Sequence, residues 1–587
     1  MALRSMSLPI LAALMSGCAQ VPAAPAGLHL TADTVATERF DVLIRGGTIY
    51  DGSGGAPIVG DLGIRGDRIA YVGPARPATA AKVVDATGLA VTPGFINMLS
   101  WATESLIVDP KAQSDIRQGV TTEVMGEGWS MGPLNAEMKT LAVQRQGDIK
   151  YPIEWTTLGD YLGFLEKRGI APNVASFVGA ATVRQHELGE RDVDPTPDQL
   201  QRMRALVRQA MEEGAMGVGS SLIYPPAIFA ETDELVALTE EAAKCGGMYI
   251  SHMRSEGDRL LESVDELIEI SRRSGAPAEI YHLKQAGRSN WGKLDQVIAR
   301  VEAARAQGLK ITADMYTYTA GGTGLAASLP PWVQDGGVEA MLKRLKDPKI
   351  VARVKREMVQ PGKDWENLYN HAGPDRVLLA GLVEPKLKPL TGKTIAEVAR
   401  AHGISPEQAV IDLVIADQGR TGAIYFLMSE DNVRRQTSIP WVSFGSDAEA
   451  SAPEGVFLKS STHPRAYGNF ARFLGKYARD EKTVPLQEAI RRLTSFPAGN
   501  LGIRDRGTLS PGMAADVVVF DPATVADHAT FEKPMQYATG VRDVFINGVP
   551  VLAGGIHTGA TPGRFVRGPG WTGWPGGGAC RNGGRRP

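Results

Sequence analysis

Two histidines stand in strand-like apolar runs 30 residues apart, in Ser251-His252-Met253-Arg254 and Tyr281-His282-Leu283-Lys284. That spacing is about one strand–helix unit, so adjacent parallel strands would bring both imidazoles to one face at one height. Imidazole is a neutral, borderline-soft donor suited to a divalent metal such as zinc. A third run ends in Gly445-Ser446-Asp447. A carboxylate beside a metal-activated water can take its proton during attack and return it to a leaving amine. With nine histidines in the chain, one alone reads as a hydrogen-bonded core residue. Three polar side chains closing three separate strands read as a metal site.

The elements that must position them alternate apolar strand-like runs with amphipathic helical patterns, the signature of a parallel sheet. Eight strands are predicted over residues 89–97, 120–127, 173–179, 215–220, 248–252, 278–284, 310–318 and 441–447, with helices such as Pro197 to Glu213 and Thr232 to Lys244 between them. His252, His282 and Asp447 then close the fifth, sixth and eighth strands. Eight such units imply an α/β protein of the TIM-like (β/α)8 class, whose chemistry sits at the C-terminal ends of the strands. This barrel is assigned to 93–507, with a charged, helix-rich insertion over its mouth at 330–440. Short hairpin strands from Phe40 to Tyr50 and Asp61 to Val72, and again at Gly512 to Phe520 and Val541 to Val551, predict a small β-sandwich domain built from both chain ends, 39–92 and 508–568.

Composition bounds the class. The chain has 587 residues, 63 Lys+Arg against 65 Asp+Glu and a net charge of −2, which offers no electrostatic footprint for nucleic acid. Gly and Pro make up about 18% of it, below the ~25–30% that marks low complexity. Three cysteines exclude a disulfide scaffold and a structural cysteine-type zinc domain. Residues 1–18 read as a signal peptide: Arg4, a short apolar stretch, then Met15-Ser16-Gly17-Cys18, which resembles a bacterial lipobox. A lipidated Cys18 would tether the protein to a membrane, and export would place it in the periplasm or on the outer membrane of a Gram-negative cell. Residues 19–38 are expected to be a linker. The Gly-rich 569–587 segment is expected to be unstructured.

Several stretches together resemble the amidohydrolase superfamily and, within it, the N-acyl-D-amino-acid deacylase (D-aminoacylase) family. They are Val91-Thr92-Pro93-Gly94-Phe95-Ile96, Gly119-Val120-Thr121-Thr122, Tyr224-Pro225-Pro226, His252 through Asp258, Ala286-Gly287, Asn290-Trp291-Gly292, Gly445-Ser446-Asp447, His463-Pro464-Arg465 and Phe545-Ile546-Asn547-Gly548. The likeness runs from about Phe40 to Gly568. Three departures stand out. The superfamily places His-x-His after Pro-Gly-Phe-Ile, where this chain has Leu99 and Trp101. The family's bridging cysteine after the second strand is absent, and Glu127 is the metal-competent side chain there. Ala180 stands where the family often has histidine.

The resemblance implies one zinc ion per chain, held by Glu127, His252 and His282, with Asp447 as the base; carboxylate oxygen binds zinc at about the same distance as imidazole nitrogen. The alternative for Glu127 is a carboxylate that orients a histidine. The resemblance also implies that Arg465 grips the carboxylate of an N-acyl amino acid, a planar fork that lysine cannot supply. Tyr316 and Tyr318 are expected to line the acyl pocket or hydrogen-bond the substrate, and Tyr224 to contact it. Lys284 is expected either to contact the substrate carboxylate or to pair with an acidic side chain. Leu99 and Trp101 predict an apolar first-strand wall with room for a hydrophobic acyl or aryl group. The expected activity is hydrolysis of the amide of an N-acyl-D-amino acid, the D configuration coming from the resemblance alone. The alternatives are another amidohydrolase activity (an N-acyl arylamide, a dipeptide, a hydantoin or dihydropyrimidine ring) and a non-catalytic envelope binding protein.

Overall fold

The computed structural model describes residues 38–580. The proposed signal peptide, with Cys18, lies outside the described residues, as do 19–37 of the linker and 581–587.

The α/β part is built on parallel strands, β1 (Phe95–Asn97), β2 (Val120–Met125), β3 (Asn173–Ser176), β4 (Gly217–Ser221), β5 (Met248–His252), β6 (Ala278–Ile280), β7 (Ile311–Met315) and β8 (Val442–Phe444). β1-β2-β3 form one sheet. Val178–Gly179, which continues β3, begins the second, running through β4, β5, β6, β7 and β8. Backbone hydrogen bonds also link the two sheets, from Met98 N to Phe444 O (3.1 Å) and from Met216 N to Ser176 O (3.0 Å). The strands are buried along their whole length, as expected where helices cover one side.

The helices begin and end where local chemistry dictates. Pro197–Glu213 starts with a capping box between Thr196 and Gln199 and a proline in its first turn, and Gly214 closes it at φ +115°. Its buried face, Met203, Val207, Ala210 and Met211, follows the helical period.

Both chain ends contribute to a separate sheet of nine strands. Val517–Phe520 pairs antiparallel with Ala90–Pro93 and with Val541–Ile546, so the two terminal blocks meet edge to edge. Between β7 and β8, the strands Gly321–Gly324, Val377–Gly381 and Gly422–Tyr425 form a small antiparallel sheet among short helices.

The C-terminal segment departs from expectation over 569–580. Gly568 N bonds Gly214 O at 2.8 Å, Thr572 N bonds Glu212 O at 3.0 Å, and Cys580 is disulfide-bonded to Cys245. A glycine-rich chain is held here because its backbone lies against the end of helix Pro197–Glu213 and a covalent link closes the contact; local composition reports neither.

Candidate active site

Glu127 follows β2, His252 ends β5, and His282 and Asp447 follow β6 and β8. All four side chains line one cavity of about 760 Å³ at the C-terminal ends of the strands. Glu127 Oε1 lies 3.0 Å from His252 Nδ1 and 2.9 Å from His282 Nε2. Ligating atoms of these three buried residues fall within 4.8 Å of one another, the one such group among the described residues. One carboxylate and two imidazoles, with His252 Nδ1 and His282 Nε2 both turned to Glu127 Oε1, are a donor set that zinc accepts. The residues therefore fit a divalent ion.

The backbone delivering two of these groups is unusual. His282 has φ +35° and Asp447 φ +49°, left-handed conformations rare outside glycine that persist only where neighbours hold them. His282 N donates to Asp314 Oδ1 (2.9 Å), and Asp447 N donates to Leu99 O (2.8 Å). Gly445 permits the latter approach, since a Cβ there would meet the Leu99 Cβ at 2.7 Å.

Burial would raise the Glu127 carboxyl, but His282 and His252 outweigh it and hold the group well below the usual carboxylate range. Burial and Lys284 push His282 down, and the carboxylates of Glu256 and Glu127 more than reverse this, to about 10. Burial lifts Asp447 above an ordinary aspartate, against the pull of Arg465 and with the help of the Glu127 charge. A more basic carboxylate is the better proton acceptor.

Arg465, buried at the start of a helix, places Nη1 2.9 Å from Asp447 Oδ2 and its guanidinium 4.6 Å from the centre of the Tyr316 ring. His463 supports it by accepting from Arg465 N (3.1 Å). Tyr316 lines the cavity with a buried hydroxyl that has no partner, and Tyr224 packs edge-on to His252 at 5.4 Å.

Tyr318 is not with them. Its hydroxyl donates to Asp527 Oδ2 (3.1 Å), Arg472 lies over its ring, and it does not line the cavity. Two residues along, its side chain has turned out toward the terminal segment that carries Asp527. Lys284 takes the pairing alternative: Nζ lies 2.6 Å from Glu256 Oε1 and 2.7 Å from His282 Nδ1. The apolar first-strand wall is also corrected. Leu99 is fully buried in the core, whereas Trp101 faces the cavity and donates its indole N–H to Glu127 Oε2 (3.0 Å) and Asp447 Oδ1 (3.2 Å).

Glu256 is the residue missed in sequence. Its carboxylate reaches His282 Nδ1 at 2.9 Å and His252 Nε2 at 3.5 Å, so both imidazoles lie between Glu127 and Glu256. The available signal was its place four residues after His252 in a loop otherwise rich in small and charged residues.

The amidohydrolase family profile matches residues 82–552. A D-aminoacylase from Alcaligenes xylosoxydans xylosoxydans is 34% identical over 538 residues, covering 90% of this chain and 98% of the relative. A zinc- and phosphonate-bound N-acyl-D-glutamate deacylase from Bordetella bronchiseptica superposes with a TM-score of 0.75 at 30% identity, over 90% of this chain and all of the other. A D-aminoacylase structure describing one-metal activation and second-metal attenuation of a binuclear centre has a TM-score of 0.72 at 32% identity, with 90% and 100% coverage.

Proposed function

Since the chain belongs to the D-aminoacylase family of amidohydrolases, we propose that it hydrolyses the amide bond of N-acyl-D-amino acids, releasing a carboxylate and a free D-amino acid. The observation that carries this reading is the convergence of Glu127, His252 and His282 on one point, with Asp447 and Arg465 beside it in the same cavity.

Glu127, His252 and His282 would hold a single zinc ion, and Tyr316 and Tyr224 would bound the substrate around it. Such an ion supplies Lewis acidity, polarising the scissile carbonyl and acidifying water. Asp447 accepts the proton of the attacking water and delivers it to the departing nitrogen. Arg465 receives the substrate carboxylate, exchanging its contact with Asp447 for a bidentate one and freeing the base at the moment substrate arrives. The buried Tyr316 hydroxyl, without a partner of its own, is placed to donate to the substrate.

The eight parallel strands are read here as one closed barrel, a reading supported by the backbone bonds that bridge the two sheets. Export is also part of the proposal. Of three cysteines, Cys245 and Cys580 are paired, as suits an oxidising compartment, and the third, Cys18, stands in the stretch that resembles a lipobox.

The test is release of free amine from N-acetyl-D-methionine, N-acetyl-D-glutamate and their L forms, beside ring opening of a hydantoin. Turnover of a D substrate well above its L form is expected. Ring opening without amine release would place the chain with cyclic amidohydrolases, and no turnover with zinc present would favour a binding protein.

A further inference from the structure

Two carboxylate oxygens in the cavity, Glu127 Oε2 and Asp447 Oδ1, converge on one neutral donor, the Trp101 indole N–H, at 3.0 and 3.2 Å. The remaining oxygens are committed elsewhere, Glu127 Oε1 to the two imidazoles and Asp447 Oδ2 to Arg465. Facing carboxylates repel unless something positive or hydrogen-bearing stands between them. A cation would serve, bridged by the two groups. An indole N–H serves as well but brings no lone pair, so it ligates nothing.

We infer that Trp101 is the positioning residue of this site: its N–H occupies the place where a second cation would bridge Glu127 and Asp447, limiting the chain to one zinc ion and fixing the rotation of Asp447. This rests on the zinc deacylase reading above. Trp101 is held for the task. It lies two residues after the buried Leu99, its own N bonds Ala448 O (3.0 Å), and Ser100 bridges Ala448, so the segment after β1 is tied to the loop carrying Asp447. Losing the N–H leaves Asp447 Oδ1 free to rotate away from the attacking water, a defect in the chemical step rather than in binding, since Arg465 and not Trp101 receives the substrate carboxylate.

The experiment strips the full-length protein of metal with a chelator. Zinc is then returned to the wild type, Trp101→Phe and Trp101→His, and bound metal is counted by equilibrium dialysis and elemental analysis. kcat and KM are measured on the best N-acyl-D-amino acid. The wild type is expected to saturate at one equivalent even at ~100-fold excess zinc, and Trp101→His, which restores a lone pair, to take up a second. Trp101→Phe, whose ring still fills that place but offers neither a proton nor a lone pair, should keep its one equivalent and lose ~10–100-fold in kcat, with KM within about threefold. A second equivalent in the wild type, only one in Trp101→His, or a Trp101→Phe kcat within about twofold of wild type would each overturn the inference alone. A wild type that takes up no zinc would overturn the metal reading and this inference with it.

Discussion

Glu256 and His282 meet at 2.9 Å, Oε1 to Nδ1, on the edge of the imidazole opposite the one that faces Glu127. Lys284 joins the same pair from the side, 2.6 Å from Glu256 and 2.7 Å from His282. A carboxylate on the far nitrogen fixes ring orientation and strengthens the near nitrogen as a donor to a metal. Glu256→Gln should therefore weaken zinc affinity ~10–100-fold while leaving the fold intact. Competition with a chromophoric chelator measures this directly. Unchanged affinity would reduce Glu256 to a partner of Lys284.

Asp447 and the metal-facing residues should separate cleanly. Asp447→Asn keeps a side chain of the same shape that takes up no proton, so about one equivalent of zinc should remain while kcat falls at least ~100-fold. His282→Ala should lose the metal itself. Turnover that survived Asp447→Asn would remove this residue as base.

Arg465 should act on substrate that carries a carboxylate. Arg465→Lys loses the bidentate fork, and KM for an N-acyl-D-amino acid should rise ~10–100-fold. With a simple N-acyl amine, which has no carboxylate, the variant and the wild type should differ little. Equal losses on both substrates would mean that Arg465 serves mainly to hold Asp447.

Glu123, interior on β2, gives the fold a pH dependence. Burial raises its carboxyl to about 7 from 4.5, and only Oε2 is satisfied, by Asn97 Nδ2 at 2.9 Å. The folded chain thus keeps a proton between pH 4.5 and 7 that the unfolded chain releases. The resulting stability is complete below the unfolded value and is lost as pH rises through the folded one. Its size is on the order of 3 kcal/mol. Glu123→Gln should make thermal stability fall less steeply across that window, measured by calorimetry at several pH values, with Glu234, Glu279 and Glu449, which burial likewise raises to about 7, supplying the remaining slope. An unaltered slope would show that Glu123 contributes nothing to it.

How much of this was legible beforehand depended on what kind of contact each residue makes. Helices Pro197–Glu213 and Thr232–Lys244 are visible as written, because their apolar periodicity is local, and the first also carries its capping box at Thr196 and Gln199. His252 and His282 are legible as a pair because one strand–helix unit carries the second to the height of the first on the neighbouring strand. The turn that sends Tyr318 to Asp527 was invisible, since its partner lies 209 residues away. So was the docking of the tail, which depends on Cys245, 335 residues before Cys580.

From its sequence alone the chain determined that Glu127, His252, His282 and Asp447 stand at or just beyond the C-terminal ends of strands, because strand period and connection length are local. Only the tertiary structure decided which of them share a space. Trp101 became a donor between two acids rather than an apolar wall, Lys284 a partner of Glu256, and Glu256 the second carboxylate of both histidines. Those outcomes depend on rotamers and on distances between strands far apart in the chain, which packing sets and no residue carries by itself.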